Sequence, residues 1–188
     1  LSTDSDKKFN EFAQIKKLKI YVSILKLYSQ KELEIKKIIF FDANFNINKN
    51  SFNYLNNFFR KKSSSKKIIV RKSKIFFREN ADKNDAIALS SIHKSKIFYD
   101  EKENSNKIII DGSIFNTQYN LNFLRSIANQ NLTNFQIKFK QLNTKINNEF
   151  LRSSEKSINS EGIVSINFSG YENTINYEIN NEFILFSS

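Results

Sequence analysis

The chain has 188 residues, a formal net charge of +11, 19 Phe, one His, and no Cys, Met, Pro or Trp. Without cysteine it has neither a disulfide nor a thiolate metal site, and three scattered glycines build no phosphate-cradling loop. No run of about 18 apolar residues is present, so no segment reads as a membrane-spanning helix, and no continuous apolar stretch reads as a signal peptide. The lack of Met leads to the expectation that the chain is a piece of a longer or processed protein.

The charge is uneven. Residues 1–78 hold 19 Lys and Arg against 6 Asp and Glu, and residues 79–188 hold 11 against 13. A basic first part suits an anionic membrane surface or nucleic acid. The blander reading, a solvated, Lys-rich strand surface in a chain with the Asn and Lys usage an AT-rich genome would give, is the one favoured.

In chain order, Leu18, Ile20, Val22 and Ile24 alternate with polar residues, and Gln30-Lys31 is a plausible hairpin loop. From Leu33 to Ile47 the odd positions are apolar except Lys37, while the even ones are mostly charged or amide. A period of two means a strand with one apolar and one wet face. In "NSFNYLNNFFRKKSSS", Phe52, Leu55, Phe58 and Phe59 fall at helical spacing behind Ser51, which predicts a short amphipathic helix near 51–61. Strand patterning returns in "KIIVRKSKIFFRE" (67–79) and, after the loop "NADKND", in "AIALSSIHKSKIFYDE".

The stretch "KIIIDGSIFNTQYNLNF" (107–123) carries Asp111-Gly112, a strong hairpin signal. Alternation alone does not decide between a turn there and one at Asn116-Thr117, but the second makes a longer hairpin with two apolar pairs and puts Gly112 inside a strand that can bend there, and it is the one expected. Phe135, Ile137 and Phe139 alternate next. Leu142 to Phe150, Ile163 to Phe168, Ile175 to Ile179 and Phe183 to Phe186 complete roughly ten strands, with no βαβ rhythm. The expected fold is mainly β: an elongated, twisted antiparallel meander with one short helix. Its apolar face needs a cover, namely a second sheet, the helix, a partner or lipid.

No catalytic constellation emerges. His93 in "SSIHKSK" has no neighbouring Cys or acidic cluster and reads as a solvated strand residue. "DEKE" (100–103) reads as a solubilising turn. The chain is read as non-enzymatic, with no metal and no cofactor. In "RKSKIFFRE", Phe76 and Phe77 point to opposite faces of a strand. They make no shared stacking platform, so nucleic acid is not the expected partner.

The segments "LEIKKIIFFDANFNINKNSFNYLNNFF", "IIVRKSKIFFREN" and "AIALSSIHKSKIFYDEKENSNKIIIDGSIFNTQYNLNF" together resemble the AsmA-like family. These are bacterial envelope proteins grouped with TamB among the bridge-like lipid-transfer proteins. The resemblance covers about residues 14–124, and 132–186 by strand rhythm alone. It implies that residues 1–188 are one β-rich segment of a longer repeat protein, curved into an open apolar trough. It implies a periplasmic location, an inner-membrane tether upstream and flanking β-repeats. Phospholipid acyl chains would lie in the groove, serving lipid transfer and outer-membrane homeostasis. The candidate groove-lining residues are Ile39, Phe41, Phe45, Ile47, Ile108, Ile110, Ile114, Tyr119, Leu121, Phe123, Phe135, Ile137 and Phe139. The alternative is a closed β-sandwich, a protein-interaction or scaffold module without lipid, with these residues as its core.

Overall fold

The computed structural model describes residues 12–48, 61–79, 86–129, 132–152, 160–179 and 184–187. All described strands join one open sheet whose spatial order is their chain order. They are β1 (Ala13–Val22), β2 (Ile35–Ile47), β3 (Lys67–Arg78), β4 (Ala86–Asp100), β5 (Ser105–Ile114), β6 (Thr117–Ser126), β7 (Leu132–Phe139), β8 (Thr144–Arg152), β9 (Ser160–Phe168), β10 (Tyr171–Ile179) and β11 (Ile184–Ser187). No second sheet lies over it among the described residues, so these strands form no closed sandwich. Beta-branched and aromatic residues recur along one side of the strands, as a pleated half-buried surface favours.

One ladder departs from the antiparallel expectation. β2 and β3 pair in parallel, Ile38 beside Ile68 and Phe45 beside Ile75. Parallel neighbours need a crossover of a dozen residues or more, and residues 48–66 supply one. The end of that crossover docks on the sheet: Asn106 donates from Nδ2 to the Lys61 carbonyl at 2.8 Å and accepts from the Ser63 amide at 2.9 Å. The helix expected at 51–61 falls, except for Lys61, outside the described residues.

The helix that is described is α1 (Ile24–Gln30), where a hairpin loop at Gln30-Lys31 was expected. Ile24, Leu27 and Tyr28 repeat at helical spacing, and counting Ile24 into the preceding alternation hides this. Lys31 closes the helix in the left-handed region (φ 54°).

The turns follow their residues. Phe115 and Asn116 both have positive φ (48° and 61°), as a two-residue twisted hairpin requires, and Ile114 faces Thr117. β5 therefore runs straight through Asp111-Gly112, and the turn lies one residue before the expected Asn116-Thr117. A turn there would force β-branched Thr117 into the left-handed region. Ser169-Gly170 makes the matching turn between β9 and β10. Asn104 and Asn143 take the left-handed position at the ends of the β4–β5 and β7–β8 turns.

Candidate functional site: the apolar face

Residues paired across neighbouring strands share a face. One transverse row therefore reads, in strand order from β1, Ile20, Ile38, Ile68, Ile97, Ile108, Phe123, Phe135, Asn148, Val164 and Ile175. The row beside it reads Leu18, Phe40, Val70, Ser95, Ile110, Leu121, Ile137, Ile146 and Ile166. From β5 to β9 these side chains are half-exposed.

The opposite face of the same strands is wet. Asn120 donates to Asp111 at 2.8 Å, Gln136 to Asn147 at 2.9 Å, and Ser165 and Thr174 share a hydrogen bond at 3.2 Å.

A line of irregularities crosses β2, β3 and β4. Asp42 and Lys72 have positive φ (52° and 50°), and His93 is an extra residue against β5, between the Ile92–Gly112 and Lys94–Asp111 pairs. β5 runs regularly past this line and serves as a reference. On one side of it Ile108 and Ile110 meet odd positions of β4 and, through them, even positions of β3 and β2. On the other side Gly112 and Ile114 meet Ile92 and Ser90, then Ser73 and Ile75, then the Ala43–Phe45 stretch. The bulges thus switch which parity faces the apolar side.

This switch divides the sequence-derived candidates. Phe45, Ile47, Ile108, Ile110, Ile114, Tyr119, Leu121, Phe123, Phe135, Ile137 and Phe139 share the apolar face. Ile39 and Phe41 lie on the opposite one, where Ile39 stands beside Ile69 and the Lys19 ammonium sits 5.5 Å from the Phe41 ring centre. Their places are taken by Ile38 and Phe40, with Ile68, Val70, Ile97, Ile146, Val164, Ile166 and Ile175, none of which the sequence reading selected. The signal was present in the doublets of "KKIIFFDAN" and in "KIIV": consecutive apolar residues just before a parity switch supply both faces.

Two tyrosines pin the floor of this face by the same device. Tyr119 on β6 lies across Gly112 on β5 and shares a 2.7 Å hydrogen bond with the Ser90 hydroxyl on β4. Tyr177 on β10 lies across Gly162 on β9 and donates to Asn148 on β8 at 2.9 Å. Each tyrosine is nearly buried, and its hydroxyl is hydrogen-bonded within the sheet. Burial pushes the Tyr119 phenol above its usual value, and the Ser90 hydrogen bond offsets part of this.

No group of three His, Cys, Asp or Glu that could hold a metal occurs among the described residues. His93 is exposed at its bulge. In the β4–β5 turn, Lys107 bridges Asp100 (2.9 Å) and Glu103 (2.5 Å), which closes the turn. What this face offers is an apolar surface several strands wide, unbroken by charge through its middle. No protein-family model, curated protein or solved structure matches the chain.

Proposed function

We propose that this chain is a non-enzymatic segment of a bacterial cell-envelope protein that shields phospholipid acyl chains along its apolar face. In this reading it belongs with the AsmA-like proteins, works in the periplasm behind an inner-membrane tether, and serves lipid movement between inner and outer membranes. The observation that carries the proposal is the pair of apolar rows, left half-exposed on a sheet that does not close. Monomeric proteins rarely leave so large a contiguous apolar surface without an occupant.

An acyl chain is a suitable occupant on physical grounds. Each methylene removed from water contributes about 0.8 kcal/mol, and the rows set no charge in the path of a chain, their polar members being Ser95 and Asn148. Strand spacing of about 4.8 Å places successive side chains of a row within the reach of a few methylenes. The lipid would lie across the strands while its headgroup stays in water beyond the row ends. Organic extraction of the purified chain is expected to release phospholipid. Lipid-free protein that also fails to bind a hydrophobic dye in its native state would contradict the proposal and favour a face packed against another protein.

A further inference from the structure

The wet face of β1 to β4 differs from the rest of that face. Before the bulge line it presents Lys17, Lys19, Lys37, Lys67, Arg71 and Lys94, almost all exposed, with the half-buried Lys96 beside Ile69 among them. The ion pairs among the described residues join Lys26 and Lys66 to Glu34, and Lys107 to Asp100 and Glu103; none involves these cations. Of the carboxylates in these four strands, Asp100 is already held by Lys107, and the exposed Asp42 sits on the bulge line at the edge of the patch. Asp111, across from Lys94 on β5, marks the border of the patch.

Lys37 is paired directly with Lys67, and Arg71 with Lys94. Like charges opposite one another destabilise a sheet, and an external anion removes that cost. The second observation lies at the end of these strands. The backbone bond from Ser23 to Glu34 (2.9 Å) closes the base of α1 beside Tyr21 and Lys37. No residue of α1 is buried, and Ile24, Leu25, Tyr28 and the following Leu33 are 66%, 81%, 82% and 69% exposed.

We infer that the cationic face of β1–β4, with the apolar turn α1 at its end, docks on the surface of an anionic phospholipid bilayer. The cations meet lipid phosphates, and Ile24, Leu25 and Tyr28 enter the headgroup layer. Cations beside exposed apolar residues are the combination an anionic interface rewards. Nucleic acid would use the cations but gains nothing from exposed Ile and Leu, which neither stack on bases nor read their edges. This surface is on the side opposite the apolar rows, and the inference does not depend on what those rows hold.

The test is flotation of the 188-residue chain with vesicles of phosphatidylglycerol and phosphatidylcholine, or of phosphatidylcholine alone. Binding is expected to the anionic vesicles only. It is expected to weaken at least about tenfold as salt rises from about 0.1 to 1 M and the screening length shrinks from about 10 to 3 Å. The combined Lys19→Gln, Lys67→Gln, Arg71→Gln and Lys94→Gln variant should lose about 100-fold or more. The Leu25→Ser, Tyr28→Ser variant should bind more weakly with the same salt slope. Equal affinity for both vesicle types, or no binding by the unmodified chain, overturns the inference, and neither outcome needs a variant to fold. Tighter binding of a single-stranded oligonucleotide at the same salt also overturns it and gives the patch to nucleic acid.

Discussion

The Tyr119 ring occupies the space that a side chain at position 112 would need. A Cβ placed on Gly112 would lie 2.9 Å from the phenol end of Tyr119 and 2.4 Å from the Ser91 carbonyl oxygen. The glycine in "IDGSIF" is therefore a packing requirement of two neighbouring strands, and its φ needs no left-handed freedom. Gly162 under Tyr177 differs in one respect: the contacts at 2.4–2.7 Å are all to the tyrosine side chain.

This difference sets an order of stabilities. Gly112→Ala pushes against a neighbouring backbone and is expected to cost about 2–3 kcal/mol, in the upper range for overpacking. Gly162→Ala displaces a ring that can swing outward and is expected to cost less. Tyr119→Phe loses the Ser90 hydrogen bond while the Ser90 hydroxyl keeps its donation to the Ser113 carbonyl (3.3 Å), for about 1 kcal/mol. Urea unfolding of the three variants measures the order; Gly162→Ala as the most damaging would contradict it.

Tyr119 also makes stability depend on alkaline pH. Burial raises its phenol above the ordinary 10.0, so the folded chain holds this proton more tightly than the unfolded one. Its contribution is complete below pH 10.0 and is lost as pH rises toward the folded-state value. Urea midpoints measured on both sides of that pH should fall more steeply for the unmodified chain than for Tyr119→Phe. Parallel curves would show that Tyr119 does not titrate in this way.

Asp100 acts in the opposite direction. The Lys107 hydrogen bond, opposed by partial burial and aided by the amides of Lys102 and Glu103, holds its carboxyl below the usual 3.8. The stabilisation it gives the β4–β5 turn is present above pH 3.8 and is lost as pH falls through the lower folded value. Hydrogen-exchange protection of the Lys102 and Glu103 amides should drop over that range. Asp100→Ala, which has no side-chain acceptor for these amides, should already lack this protection at neutral pH.

The bulge line is open to backbone substitution. Asp42 and Lys72 sit at positive φ inside strands, where a β-branched side chain is least tolerated and glycine is at ease. Lys72→Gly should be neutral or mildly stabilising, and Lys72→Val should cost on the order of 1–2 kcal/mol, the usual scale of stored backbone strain. Thermal unfolding of the pair tests this, and equal effects would place Lys72 in ordinary extended backbone.

Much of this architecture was legible because period-two alternation is a direct imprint of a sheet with one wet face. The strands from β5 to β10, their order and most of the apolar set can be read from residues such as Ile110, Leu121 and Ile137. The failures have particular causes. Ile24 continued an alternation that had already passed into α1. Ile39 and Phe41 were grouped with Phe45 and Ile47 because counting by twos cannot register the turn of the chain at Asp42. The parallel pairing of β2 with β3 rests on a crossover whose direction no local pattern encodes. The cationic face arises from register, which brings Lys37 beside Lys67 and Arg71 beside Lys94 from segments distant in sequence.

The central claim is that the apolar rows carry acyl chains, and native mass spectrometry of the purified chain tests it most directly. Leu121 lies within an apolar row, while its neighbour Asn122 points to the wet face. The account predicts phospholipid-sized mass adducts on the unmodified chain and on Asn122→Glu, and their loss from Leu121→Glu with the strand signal in circular dichroism retained. An unmodified chain without bound lipid, or two variants that retain it equally, would contradict the account.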